Sequence, residues 1–288
     1  MSTGSEPDAG KGKGAGRSNL QLRVISAVVL AVAVLTLAWW GGVAFRLFAA
    51  ALGAVVFYEW STMAANRYSA TGRASAWLLL LLPLAALALG LDAGTVLLTV
   101  AAAVLAAVLV AAILRERFGL ALGLAYAAVP AVALAFLRGD GIAGLWALLF
   151  LFACVWATDI AAYFAGRYFG GPKLAPSISP SKTWSGAIGG AAAGVAAGGI
   201  VAVVGPSSLG VVLTAFVALA VSVVSQFGDL FESAYKRRHG AKDSSQLIPG
   251  HGGVMDRVDG LVAAAVALYL AGAILAGPDN PAAGLFAG

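Results

Sequence analysis

Asp229, Glu232, Ser233 and Lys236 follow one another at offsets of +3, +4 and +7, which sets them on a single face of a helix. Farther along, Asp256 and Asp259 lie three apart and share a face of their own, just after the glycine-rich turn Pro249-Gly250-His251-Gly252-Gly253. From Gly228 to Gly260, 33 positions carry five acids, five bases and both histidines of a 288-residue chain that is only 11% charged and 61% hydrophobic. Carboxylates grouped at helix ends can hold Mg2+, which takes oxygen ligands and keeps waters for substrate phosphates. Cations close by can neutralise those phosphates. The chemistry suggested is metal-assisted transfer of a phosphorus group.

Each constellation has a plainer alternative. Asp229 ends the apolar run VALAVSVVSQFG, and an ionisable residue at that depth is a functional candidate by default. The same spacing would also serve a helix end braced by i,i+4 pairs, with Lys236, Arg237 and Arg238 set against the C-terminal dipole. That dipole favours acids at the next helix start by about 0.3–1 kcal/mol, which accounts for one of Asp256 and Asp259 but not both. Asp159, Tyr163 and Arg167, at +4 and +8, share a third face and suggest a pocket lining; a direct Asp159–Arg167 pair would have to span about 12 Å of helix rise. The segment Ser177–Gly186 reads as a rigid turn bounded by Pro176, Pro180 and Gly186. From it Ser179, Lys182 and Thr183 could reach a phosphate, or Trp184 could anchor the turn at lipid headgroups. Gly252 and Gly253 let backbone amides approach an anion, and His251 beside them could touch phosphate. Two isolated histidines are too few for zinc. No GxxxxGK[ST] loop occurs, and the single cysteine, Cys154, excludes an intrachain disulfide.

The elements that must position these residues are membrane helices. A mean hydropathy of +0.92 and apolar runs near the roughly 20 residues that cross a bilayer exclude an ordinary soluble domain. The expectation is an all-α polytopic membrane protein: a bundle of about nine transmembrane helices with a polar active site on the cytoplasmic side. The spans read at about 24–40, 42–58, 76–91, 94–114, 118–136, 142–166, 185–205, 208–230 and 258–276. The 37 glycines favour close helix packing. With a cytoplasmic N-terminus, all of the 18 basic residues except Arg46 and Arg138 fall on the inside. The 228–260 segment then faces the cytoplasm, where nucleotides are. A formal charge of +5 reflects that orientation and anionic headgroups, not nucleic acid. Residues 1–23 predict a disordered basic cytoplasmic tail and no cleaved signal peptide. Residues 24–140 predict plain scaffold helices, 141–276 the catalytic region, and 277–288 a short C-terminal tail.

The stretch 233–259, with SAYKRR, KDSS and LIPGHGGVMDRVD in order, resembles the signature of the phosphatidate cytidylyltransferases, or CDP-diacylglycerol synthases. GDLFES (228–233), SPSKTW (179–184) and TDIAAYFAGRYFG (158–170) are similar to further motifs of that family, whereas the N-terminal half matches only in hydropathy. The resemblance implies that CTP and phosphatidic acid give CDP-diacylglycerol and pyrophosphate, the lipid phosphate attacking the α-phosphorus in line. It implies Mg2+, a second and monovalent cation such as K+, residence in the inner or plasma membrane, and a homodimer. Carried over by position, Asp229 and Asp256 are the leading metal ligands, followed by Asp259 and Asp243. Lys236, Arg237, Lys242 and Arg257 would neutralise the CTP and lipid phosphates, Lys182 and Ser179 would contribute from the facing loop, and Asp159, Thr183, His251, Gly252 and Gly253 would line the substrates. Two positions depart from the family pattern: Ser185 stands where Glu is usual, and Gly260 where Ser is common. A CTP-dependent polyprenol or phytol kinase would instead release CDP. A transporter would spread polar residues towards both faces, whereas here they gather on one.

Overall fold

The computed structural model describes residues 19–248 and 252–287. Nine helices make up the described fold: α1 (Asn19–Trp40), α2 (Gly42–Met63), α3 (Ala70–Ala88), α4 (Ala93–Ile113), α5 (Gly119–Arg138), α6 (Ile142–Phe169), α7 (Trp184–Val204), α8 (Val211–Arg238) and α9 (Met255–Ala276). A single hairpin, β1 (Lys173–Ala175) with β2 (Ser179–Thr183), interrupts them between α6 and α7. Helices α2 to α9 are each long and apolar enough to cross a membrane, while the described apolar stretch of α1, Val24–Trp40, is shorter. The chain is an all-α integral membrane protein. In lipid only a helix satisfies every backbone group within one segment, and long Ala/Leu/Val runs take that solution.

Several helices overrun their apolar segments. The predicted spans 42–58 and 208–230 extend to Met63 and Arg238, and α3 begins at Ala70, where the Ser69 side chain accepts from Gly72 N at 3.0 Å. Hydropathy marks where lipid ends, whereas the helix stops where its caps stop it. Asn19 already lies in α1, so the last five residues of the predicted 1–23 tail are helical. The predicted 277–288 tail is also folded. Pro281–Gly284 forms a 3-10 turn against α9, and Leu285 and Phe286 are buried. Asp92 caps α4, and the hydroxyl and amide of Thr95 hold its carboxyl below the usual range.

Both arginines that broke the charge asymmetry have structural work at the end of the bundle opposite the C-terminus of α8. Buried Arg138 donates to the carbonyls of Ala38, Trp39 and Gly141, locking the turn at Gly41 between α1 and α2. Arg46 lies 3.9 Å from Asp140. Near the α8 end, two glycine-mediated contacts dominate. Gly186, Gly190, Gly194 and Gly198 form a buried stripe along α7 that meets α6; a Cβ on Gly190 would stand 2.8 Å from the Thr158 carbonyl. Helices α8 and α9 meet at Gly228 and Gly260, close enough that a Cβ on Gly228 would stand 2.5 Å from the Asp259 carbonyl. With little hydrophobic force between helices in lipid, such close contact is what holds them.

Candidate active site

A cavity of about 540 Å³ opens where α6, α7 and α8 meet the β-hairpin. Asp159, Tyr163 and Arg167 line it from α6, Lys182 and Thr183 from the hairpin, and Gln226 and Asp229 from α8. The hairpin brings Lys182 across the cavity to an ion pair with Asp229. Its register is fixed by Lys173 opposite Thr183, and Thr183 then caps α7 by accepting from Gly186 N at 3.1 Å. The start of α7 lies at the cavity wall, where Trp184 N donates to the Pro172 carbonyl and Gly186 N to Thr183 Oγ1. Ser185 bonds to the Gly170 carbonyl and lies 3.1 Å from Thr183 Oγ1, so it ties the hairpin to the end of α6.

Beside the cavity, Lys236 gathers two acids. Its Nζ lies 2.6 Å from Asp256 Oδ1 and 3.0 Å from Glu232 Oε2. The other Asp256 oxygen accepts from Ser244 N (2.8 Å), Ser244 Oγ (2.9 Å) and Gly253 N (2.8 Å). That carboxylate thus organises the loop ahead of α9. Asp259, one turn further on, lies across from Asp229 and Glu232 because of the Gly228–Gly260 contact.

Sequence reasoning missed Glu59, which lies in a helix expected to be plain scaffold. It is fully buried and accepts from Ser244 Oγ (3.0 Å), Ser245 Oγ (2.5 Å), Val254 N (2.8 Å) and Met255 N (2.6 Å). An N-terminal amide of α9 needs an acceptor outside the helix, and Glu59 supplies one from α2. Next to it, Trp60 stacks on Tyr235 of α8 with ring centroids 3.6 Å apart, and Tyr235 donates to the Trp60 carbonyl at 3.3 Å. The one available signal was an acid inside an apolar run, the criterion that singled out Asp159. Gln226, which lines the cavity, was missed as well.

The predicted residues separate into groups. Asp159, Lys182, Thr183 and Asp229 share the cavity, with Lys236, Asp256 and Asp259 alongside. Arg167 donates to the Tyr163 hydroxyl at 3.1 Å and makes no ion pair with Asp159. Ser179 pairs with Ala175 at the far end of the hairpin, outside the cavity lining. Arg237, Lys242 and Asp243 are exposed, Asp243 lying against Gly252, and Gly253 is buried against Glu59 and Ser244. Arg257 lies on a different face of α9 from Asp256 and lines a separate apolar groove. His251 lies outside the described residues.

Among the described residues, no three acidic, histidine or cysteine side chains form a ready metal cage. The donor chemistry nevertheless fits Mg2+, which is held by one or two carboxylates and completed by waters and substrate phosphates. Glu232 is fully buried, and neither of its oxygens has a well-aligned hydrogen-bond donor; Lys236 approaches only as an ion-pair partner. The helix contact that gathers these acids is itself testable. Gly228→Ala should lower activity at least 10-fold and reduce the melting temperature, since overpacking costs about 1–3 kcal/mol. Gly199→Ala, where a Cβ meets nothing within 4 Å, should change neither; equal behaviour of the two variants would refute the role given to the contact.

The model of the cytidylyltransferase family matches residues 21–275. A phosphatidate cytidylyltransferase of Brucella suis is 53% identical over 273 residues, covering 93% of this chain and 99% of that protein. Its counterpart from Brucella abortus is 53% identical over 266 residues, 91% of this chain and 96% of its own. A phosphatidate cytidylyltransferase of Haemophilus influenzae is 43% identical over 129 residues, 42% of this chain and 43% of that protein. Lys182 meets Asp229 in the cavity wall and Lys236 gathers two further acids along α8, and the match runs nearly end to end: the chain belongs to the cytidylyltransferase family.

Proposed function

We propose that the chain is a phosphatidate cytidylyltransferase acting at the cytoplasmic face of the membrane, with CTP and phosphatidic acid as substrates. An oxygen of the lipid phosphate attacks the α-phosphorus of CTP, the bond to the β-phosphate oxygen breaks, and CDP-diacylglycerol and pyrophosphate result. The nucleophile is already anionic, so positioning and charge neutralisation carry the rate, with no strong base required. The observation that supports this best is the Lys182–Asp229 ion pair in the wall of the cavity, with a second lysine–carboxylate cluster, Lys236 with Asp256 and Glu232, further along the same face of α8. Lys182 exchanges Asp229 for a substrate phosphate. Lys236 gathers Asp256 and Glu232 into the second charge cluster. Asp229, Glu232, Asp256 and Asp259 are the residues that would hold Mg2+, which supplies neutralisation of the pyrophosphate leaving group; K+ is the proposed second ion. The charge asymmetry supports the cytoplasmic orientation, and a homodimer is the proposed assembly.

The test is pyrophosphate release by purified protein in detergent. Release should require CTP, phosphatidic acid and Mg2+ together, and stop on chelation. Formation of CDP in place of pyrophosphate would identify a lipid kinase and overturn the assignment.

A further inference from the structure

A second cavity, about 360 Å³, lies between α1, α2, α6 and α9, within the roughly 300–1,000 Å³ range of small-molecule sites. Its walls are apolar: Leu30 and Val34 from α1, Leu52 from α2, Phe152 and Trp156 from α6, and Leu261 from α9. Phe152 and Trp156 stack nearly parallel, 8° apart with centroids at 5.3 Å, and form a flat side. One charged side chain lines the groove. It belongs to Arg257, in the first turn of α9 at the loop end, beside Ile248 and Val254. From there the groove follows α1 past Val34, two turns deeper into the bundle than Ala27, another lining residue. The shape is that of an acyl chain from one leaflet, with a cation at headgroup level.

The groove and the polar cavity share one face of α6. Phe152, Trp156, Asp159, Tyr163 and Arg167 succeed one another along one face of α6, at steps of four, three, four and four. The first two line the groove and the last three line the polar cavity. Trp156 and Asp159 are one turn apart, about 5 Å of rise. A lipid whose chain lies in the groove therefore brings its phosphate to the edge of the polar cavity, next to Asp159 and Asp229. We propose that the groove seats an acyl chain of the anionic phospholipid substrate, with Arg257 at its phosphate; this rests on the phosphatidate assignment above. Arg257 then serves the lipid, and Lys182 the nucleotide.

The test fills the groove at Ala31, another of its α1 positions. Ala31→Trp should raise KM for dioleoyl phosphatidate about 10-fold with kcat nearly kept, and leave dihexanoyl phosphatidate, which has little chain to seat, within 2-fold. Val34→Phe, deeper in, should penalise 18-carbon chains while sparing 10-carbon chains, and provides an independent variant if Ala31→Trp misfolds. Equal losses on long and short lipids, or no loss on either, would overturn the proposal. Native mass spectrometry keeps it separate from the catalytic assignment. The wild type should retain dioleoyl phosphatidate over dioleoyl phosphatidylcholine, and Ala31→Trp should lose that retention. Retention of both lipids alike would mark the groove as a bulk-lipid site and refute it. Selective retention of phosphatidate without cytidylyl transfer would preserve the groove and refute the enzyme assignment instead.

Discussion

Asp256→Asn should lower kcat for cytidylyl transfer by about 100- to 1,000-fold, the usual cost of removing one preorganised electrostatic group. Asparagine preserves the shape of the side chain but not its charge. One Asp256 oxygen holds Lys236, and the other accepts three donors from Ser244 and Gly253. An amide that keeps its oxygen on those three donors must turn its NH2 group towards the Lys236 ammonium. The pair is mostly enclosed, with side-chain exposures of 13% for Lys236 and 7% for Asp256, so water screens the loss poorly. Glu232 stays beside Lys236, 3.0 Å away, and should keep the variant folded. Steady-state kinetics with a parallel thermal melt checks both statements. Full activity in the variant would remove Asp256 from the site.

The second large effect is expected at Glu59, far from any motif. Glu59→Gln should cost on the order of 3 kcal/mol of stability, since hydrogen bonds to a charged group contribute roughly 1.5–3 kcal/mol each. One glutamine oxygen can still accept two of the four donors, and the NH2 group then confronts the other two. Val254 N and Ser245 share one Glu59 oxygen and Met255 N and Ser244 the other, so whichever way the glutamine turns, one amide at the start of α9 and one serine lose their acceptor. Glu59 is a positioning residue, so kcat should fall 10- to 100-fold with KM for CTP nearly unchanged. Ser245→Ala removes a single donor and should give a much smaller change of the same kind. A Glu59→Gln enzyme with a normal melting temperature and normal kcat would show that α2 does not brace the loop.

Much of the site was legible because its spacing is local. Asp229, Glu232 and Lys236 share a helix face by arithmetic alone, and α8 presents them together. The same holds for Asp159, Tyr163 and Arg167 on α6. Lys182 was recognisable as a projecting cation, but its partner Asp229 lies 47 positions away, and only the hairpin brings them together. Arg257 was not legible from spacing alone. It directly follows Asp256 in sequence, yet neighbouring residues on a helix point about 100° apart, so Arg257 lines the apolar groove while Asp256 turns to Lys236. Glu59 was illegible for a further reason: a buried acid is stable only if something unseen satisfies it. Its donors lie 185 to 196 positions away.

The sequence by itself determined the membrane class, the approximate spans, the one-sided charge and the two acidic helix faces. These follow from composition and from periods of a few residues, which the backbone enforces locally. Tertiary structure alone decided which acid meets which lysine, that α2 braces the 239–254 loop, and that α8 and α9 touch at Gly228 and Gly260. Those pairings depend on how closely helices approach in lipid. The approach is set by side-chain volume at crossing points, a property of two distant positions at once. The 228–260 segment carries the reactive groups, but helix packing turns them into a site.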